Sequence, residues 1–400
     1  LASNYLPHQI KAASEITQVL RTKGLAYLFG EVRSGKTRTM IKVCESSKKK
    51  RILVLTKKQA IGGVERELKA VGAKKHYTVT NFEKAAKLTP GDYDFAVIDE
   101  AHCIGPRGKP TQRVKAIHAL TYELPVLLMS GSPMSESPLS VYHQFWVTKY
   151  SPFAEFKTFY KFFAKYGIPC GIPINGRIVE QYKKARPELL KFIEPWIVRM
   201  TQEDAGIEYK AIDKVHKVHL NSDTLAILET IKEDKVINLD GHTIAMESDM
   251  KERVVLHQLE AGALKLDDGN IIETSSTEIV DYIRDTWGDR PEIAIMAHFH
   301  STKQKIETHL PNVHVFSSDG HAEGTDLSNY EHFIIVNTGY SGAKHIQRRD
   351  RGVNINRSRE AVVHHIVCEG QLSEAVYKAV SKKKDFNIQS FRRIRNGKTS

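Results

Sequence analysis

Short unbroken apolar runs alternate with longer stretches in which apolar positions return every three or four residues, and this alternation sets the expected architecture. Gly24-Leu25-Ala26-Tyr27-Leu28-Phe29, Arg51-Ile52-Leu53-Val54-Leu55-Thr56, Tyr77-Thr78-Val79-Thr80, Tyr93-Asp94-Phe95-Ala96-Val97-Ile98 and Val126-Leu127-Leu128-Met129-Ser130 read as strands. Thr37 to Cys44 and Ile61 to Val71 read as helices between them. Strands of this kind taking turns with helices predict a parallel sheet covered on both faces. The rhythm breaks at residues 142–166. There Tyr142, Phe145, Trp146, Tyr150, Phe153, Phe156, Phe159, Tyr160, Phe163 and Tyr166 recur largely at helical offsets. Helix packing is the plain use of such a stripe, and base stacking is the alternative. Pro169, Pro173, Pro187 and Pro195 then punctuate a loop-rich connection. After it, residues 215–220, 293–297, 332–336 and 362–367 read as strands, and Thr224 to Lys232 and Ser373 to Val380 as helices.

Two strings in the first part carry chemistry. Gly30-Glu31-Val32-Arg33-Ser34-Gly35-Lys36-Thr37 fits the G-x-x-x-x-G-K-[ST] phosphate loop, with a strand entering it and a helix leaving it. Glycines let such a loop curl its N–H groups toward phosphate oxygens at the positive end of the following helix. Lys36 is placed to reach the β- and γ-phosphates, and the Thr37 hydroxyl to bind Mg²⁺. Asp99-Glu100-Ala101-His102 ends a run of strand formers. Carboxylates at the C-terminal end of a buried parallel strand sit where open α/β sheets bind ligands. Asp99 is expected to hold Mg²⁺ through water, and Glu100 to polarise the attacking water as general base. The pair of strings predicts ATP as ligand and Mg²⁺ as cofactor.

Four hundred residues suggest two domains. The formal net charge of +12 favours a polyanionic partner. The C-terminal cations Lys382, Lys383, Lys384, Arg392, Arg393 and Arg395 suit either a nucleic-acid backbone or a solvated tail. No apolar run is long enough for a bilayer and no secretory pattern is found, so no membrane is expected as partner and a cytoplasmic location is. The first residue is Leu1, which leaves room for a short preceding native piece. Cys44, Cys103, Cys170 and Cys368 are far apart and form no C-x-x-C pair, and neither they nor His364-His365 have metal-ligand spacing.

The order of these and further strings resembles a superfamily-two helicase of the Swi/Snf-type (DEAH-box) DNA translocases, in a compact bacteriophage-like form. The resemblance covers nearly the whole chain. Leu6-Pro7-His8-Gln9 looks like the adenine-reading motif through Gln9. Thr56 with Lys57 looks like motif Ia, and Thr80-Asn81-Phe82-Glu83 like motif Ib. Asp99-Glu100-Ala101-His102 is the DEAH form of motif II, and Ser130-Gly131-Ser132-Pro133 resembles motif III. Residues 197–204 resemble the opening of the second motor domain. Residues 295–299 look like motif IV, Gly324-Thr325-Asp326-Leu327-Ser328 like motif V and Gln347-Arg348-Arg349-Asp350-Arg351 like motif VI.

The resemblance implies an α/β protein of two RecA-like parallel-sheet domains in tandem, divided as 1–141, a helical aromatic-rich connection 142–194, and 195–400 with the basic tail. It implies ATP between the domains, contacted by Gln9, Gly30, Arg33, Ser34, Gly35, Lys36, Thr37, Asp99, His102, Gly324 and Asp326. Catalysis would fall to Lys36, Glu100, Gln347 and an arginine finger. Thr56, Lys57, Thr80, Asn81, Ser130 and Ser328 would touch DNA, duplex or branched by preference and single-stranded otherwise. Two departures stand out. Motif VI places arginines four and seven residues after the glutamine; Arg351 holds the first position, but Asn354 holds the second and Arg357 lies three further on. Arg351 and Arg357 are thus both finger candidates. The stretch from Phe299 to Gly324 is also short, which predicts a trimmed strand and helix. An RNA helicase, or a nucleotide-gated DNA-binding protein with little turnover, are the competing functions.

Overall fold

The computed structural model describes residues 5–134, 137–174, 177–207, 211–317, 327, 330, 332–350 and 360–395. The chain divides into two compact units, Leu1–Ile207 and Glu208–Ser400. Among the described residues no helix is long and apolar enough to cross a membrane.

The first unit is built on strands β1 (Leu25–Gly30), β2 (Arg51–Thr56), β3 (His76–Asn81), β4 (Phe95–Ile98), β5 (Val126–Ser130) and β6 (Ile197–Met200). They form one all-parallel sheet in the order β6-β1-β5-β4-β2-β3. Ile52 to Leu55, Ala96 to Ile98 and Val126 to Leu128 are wholly buried on both faces, which is why these runs show no polar alternation. Helices α1 (Pro7–Lys23), α2 (Lys36–Ser46) and α3 (Ile61–Ala70) cover one face. Helix α1 starts on Pro7, where the missing N–H costs nothing, and stops at Gly24, whose φ of 69° closes it. Helix α4 (Gln112–Thr121) covers the other face together with α5 (Val141–Trp146), α6 (Phe159–Tyr166) and α7 (Pro187–Ile193).

Two expectations are corrected here. The aromatic stretch is not a separate connection. It folds as two short helices around an irregular turn, and Tyr142, Phe145, Phe153, Phe159 and Phe162 bury in the same core as the sheet. Rings stack edge to face inside it, as Phe153 on Phe162 at 4.8 Å. The segment expected to open the second domain instead adds β6 to the first sheet, with Tyr27 opposite Ile197 and Gly30 opposite Met200. Val198 and Met200 drive this, since they bury against the face that α1 and α2 cover. The boundary therefore falls after Ile207 rather than before 195.

In the second unit, β7 (Ala211–Val218), β8 (Ile293–Ala297), β9 (His314–Ser317), β10 (His332–Val336) and β11 (Ala361–Cys368) form a parallel sheet in the order β7-β11-β10-β8-β9. Between β7 and β8 come α8 (Ser222–Asp234), α9 (Asp249–Leu259), α10 (Glu278–Trp287) and two hairpins, Val236–Leu239 with His242–Ala245 and Ala263–Lys265 with Ile271–Glu273. Helices α11 (His300–His309), α12 (Gly342–Arg349), α13 (Leu372–Val380) and α14 (Ile388–Arg395) complete it. After Phe299 come α11 and β9, packed through Ile306, Leu310 and Val313. The basic C-terminus is not a free tail up to Arg395. Phe391 buries, and Arg392 and Arg395 pair with Asp249 at 2.5 and 2.6 Å, so α14 docks on α9.

Buried polar groups hold the inserted elements in place. Lys305 is 1% exposed, and its ammonium donates to the carbonyls of Gly262, Thr274 and Ser276 at 2.8, 3.0 and 2.5 Å. Three donors meet three acceptors, which ties α11 to the second hairpin. The Glu260 carboxylate, 1% exposed, accepts from the N–H groups of Leu372 and Ser373 at the start of α13. Burial pushes its carboxyl up to about 7 despite those bonds.

Lys305→Met should cost on the order of 3 kcal/mol in chemical denaturation, because it leaves buried carbonyls without donors. An unchanged midpoint would contradict the stitch. Acid should also weaken the fold. Burial lowers His143 and His364 to about 4 and His345 to about 3. The unfolded chain then binds more protons than the folded one between those values and about 6.5, so stability rises with pH over that window. Glu260, between about 4.5 and about 7, and Asp99, whose carboxyl burial also raises, act in the opposite sense, two groups against three. The melting temperature should therefore climb from pH 4.5 to 6.5, and a fall over that range would refute the assignment.

Candidate nucleotide site

The phosphate loop leaves the C-terminal end of β1 and enters α2 at Lys36. Arg33 and Gly35 adopt φ of 67° and 89°, the left-handed turns that fold the loop back over the helix start. Side chains also lie close over the loop. A Cβ on Gly30 would stand 2.5 Å from Lys36 Cγ, and one on Gly35 would stand 2.4 Å from Gln9 Nε2. Lys36 Nζ donates to the carbonyls of Gly30 and Glu31, both at 2.9 Å, and so lies in the mouth of the loop. Ser34 is fully buried and donates to Glu31 O at 2.8 Å. Thr37 follows Lys36 on the first turn of α2, half-buried.

The acidic pair stands at the same edge of the sheet. One strand, β5, separates β1 from β4, so the loop and the carboxylates are roughly 10 Å apart across the sheet. Asp99 Oδ2 accepts from Thr56 Oγ1 at 2.9 Å. Glu100 takes φ 51° and ψ 45°, a left-handed conformation that is unusual outside glycine and turns its carboxylate off the strand axis. His102 Nδ1 lies 2.8 Å from Ser130 Oγ and 3.2 Å from Glu100 Oε2. Ser130 Oγ also accepts from the N–H of Ser132, which fixes the turn after β5.

Electrostatics divide the two acids. Burial, then the neighbouring Glu100 charge, hold the Asp99 carboxyl above its ordinary range, against Lys36 and Thr56. Burial acts on Glu100 in the same direction, but the hydrogen bond and charge of His102, with Lys36 and Lys57, outweigh it and hold Glu100 low. Burial alone would lower His102; Cys103 and Glu100 raise it to about 9, so the ring is a cation at neutral pH. An ionised Glu100 is ready to accept a hydrogen bond from an attacking water. Its depressed basicity favours orienting that water over holding its proton.

Several site expectations change in this setting. Thr56 and Ser130 are fully buried, and Thr80 and Asn81 are each 7% exposed. Asn81 accepts from Lys84 N at 3.1 Å and caps the turn after β3. Thr56, Asn81 and Ser130 brace strand ends through these bonds. Lys57 is half-buried and its charge acts on Glu100. Gln9 is 3% exposed, accepts from Leu6 N at 3.0 Å and lies against Gly35.

The sequence reading missed two braces of the loop. His8 Nε2 lies 3.0 Å from Ser34 O. Gln202 donates from its backbone to Glu31 Oε2 at 2.7 Å and from its amide to Val32 O at 3.0 Å. Only the proximity of His8 to Gln9 hinted at the first; nothing local marked the second.

In the second unit, Gln347 is half-buried on α12. Arg349 anchors that helix through Asp213 at 2.7 Å, and Asp213 also meets His365 at 2.8 Å. Arg348 is 3% exposed and packs over Gly339, where a Cβ would meet its Nη1 at 2.6 Å. Gly324, Asp326, Ser328, Arg351, Asn354 and Arg357 lie outside the described residues.

Thr56→Val removes a hydrogen bond that favours the ionised Asp99, so the Asp99 carboxyl should titrate at a still higher pH in the variant. An Asp99 titration unchanged from wild type would contradict the contact. No protein-family model matches the chain, and no curated protein matches it significantly.

Proposed function

We propose that the chain is a nucleic-acid-dependent ATPase, a DNA helicase or translocase of the superfamily-two Swi/Snf type with two RecA-like domains. One observation carries the nucleotide part: a phosphate loop and a split pair of carboxylates stand one strand apart at the C-terminal edge of one parallel sheet. Lys36 meets the phosphates by exchanging its two loop carbonyls for phosphate oxygens. Thr37 and Asp99 fit a hard cation, a hydroxyl and a buried carboxylate being oxygen donors of the right kind. Mg²⁺ there would neutralise charge on the phosphates as the terminal bond breaks. Glu100 orients the water, and His102 holds Glu100 ionised.

The DNA part rests on the motif resemblance and the net charge of +12. In this reading Gln9 contacts the adenine, Gly324 and Asp326 the nucleotide, Ser328 the DNA, and Gln347 with Arg351 or Arg357 completes catalysis.

Phosphate release should be measured side by side with duplex DNA, single-stranded DNA, forks, four-way junctions and RNA. Stimulation by DNA is expected. Lys36→Ala should abolish turnover, and Glu100→Gln should bind ATP yet turn over at least about a hundredfold more slowly. Stimulation by RNA alone would make this an RNA helicase. ATP binding without turnover on any polymer would make it a nucleotide-gated binding protein.

A further inference from the structure

Gln144 of α5 is wholly buried in the aromatic core of the first unit, and its neighbours settle which way its amide points. Its Nε2 donates to Pro133 O at 2.9 Å and to Ser140 Oγ at 3.2 Å. A carbonyl oxygen can only accept, so the amide nitrogen faces Pro133 and the amide oxygen faces Tyr27. The Tyr27 hydroxyl therefore donates to Gln144 Oε1, at 2.5 Å. With its hydrogen committed there, the buried Tyr27 oxygen accepts from the Ser130 hydroxyl.

Ser130 Oγ also stands 2.8 Å from His102 Nδ1 and 3.1 Å from the N–H of Ser132. Its one hydrogen goes to Tyr27, so both of those nitrogens donate to it. His102 Nδ1 consequently carries a proton, and Glu100 Oε2 lies 3.2 Å from that same nitrogen. The opposite arrangement, with Ser130 donating to His102, would set a ring lone pair against the carboxylate. Starting from a proline carbonyl, each group has its direction forced by the one before it.

The line is also held in place. Tyr27 packs edge-on to Phe29 at 4.6 Å and against Phe145 at 5.9 Å. Gly105 closes over the far end, where a Cβ would stand 2.6 Å from Ser140 O and 2.8 Å from Gln144 Nε2. A buried run of hydrogen bonds fixes orientation because any member left without its partner is costly.

We propose that Tyr27 and Gln144 are positioning residues for Glu100, fixing Ser130 as an acceptor so that His102 presents its Nδ1 hydrogen to the carboxylate that orients the attacking water. The inference rests on the ATPase reading above. It gives a duty in that reaction to two core residues outside every motif of the chain, which act through Ser130 and His102.

The test is steady-state phosphate release by the full chain, with ATP varied and DNA saturating. Tyr27→Phe keeps the ring and removes the hydroxyl. It should lower kcat about tenfold and leave KM for ATP unchanged, the pattern of an interaction felt only in the transition state. Gln144→Met should do the same, and the double variant should lose no more than either alone, because both break one line. Tyr142→Phe is the control. Its hydroxyl is buried in the same core, donates to Phe156 O at 2.7 Å and lies off the line, so kcat should hold. Wild-type kcat in Tyr27→Phe, losses that multiply in the double variant, or an equal loss in Tyr142→Phe overturns the positioning role alone. If Gln144→Met does not fold, the comparison of the two tyrosines decides. A wild type that releases no phosphate with any polymer overturns the ATPase reading with it.

Discussion

Two adjacent carboxylates at the end of a buried strand repel one another, and the first unit is arranged around that repulsion. Neither acid has enough water to ionise freely. Thr56 from β2 supports Asp99, His102 and Lys57 support Glu100, and Lys36 from the loop acts on both. The supporters come from three strand ends, Lys36 after β1, Thr56 and Lys57 at β2, and His102 after β4. The sheet order is thus the device that brings three separated stretches of sequence to one small volume. A change in register at any of those strands would leave a buried charge without compensation.

The second unit solves a related problem by other means. Its long connection between β7 and β8 adds two hairpins and three helices that the five-stranded sheet does not itself need. They share an apolar cluster around Leu228, Ile231, Val255, Leu256 and Phe391, and polar contacts fasten it further: Lys305 on three carbonyls, Glu260 on two N–H groups, α14 on Asp249 and Glu252. Such fastenings tolerate little substitution, because each partner left alone is a buried polar group.

The sheets were legible because their strands are buried on both faces and therefore appear as unbroken apolar runs. Residues 51–56, 126–130, 293–297 and 332–336 read from sequence as they fold. The hairpin around Asp240-Gly241 was missed although that pair marks a tight turn, with φ of 51° and 77°. Its strands are too short to show a period. Strand β6 was assigned to the wrong unit because its partner β1 lies far away in sequence, and local pattern says nothing about pairing. The phosphate loop and acidic pair were legible as strings. The hydrogen-bonded duties of Thr56, Ser130 and Asn81 were not, since a strand-end hydroxyl looks the same in sequence whether it faces solvent or a carboxylate.

The lock between Gln202 and the phosphate loop has a mechanical consequence. Glu31 and Val32 are gripped by the residue just beyond β6, and that stretch is the path by which the chain departs toward its second half. Any rearrangement of the loop's Glu31–Val32 corner pulls on the tether, and any tension in the tether is felt at that corner. The shape of the loop and the freedom of the linker are thereby made parts of one lever.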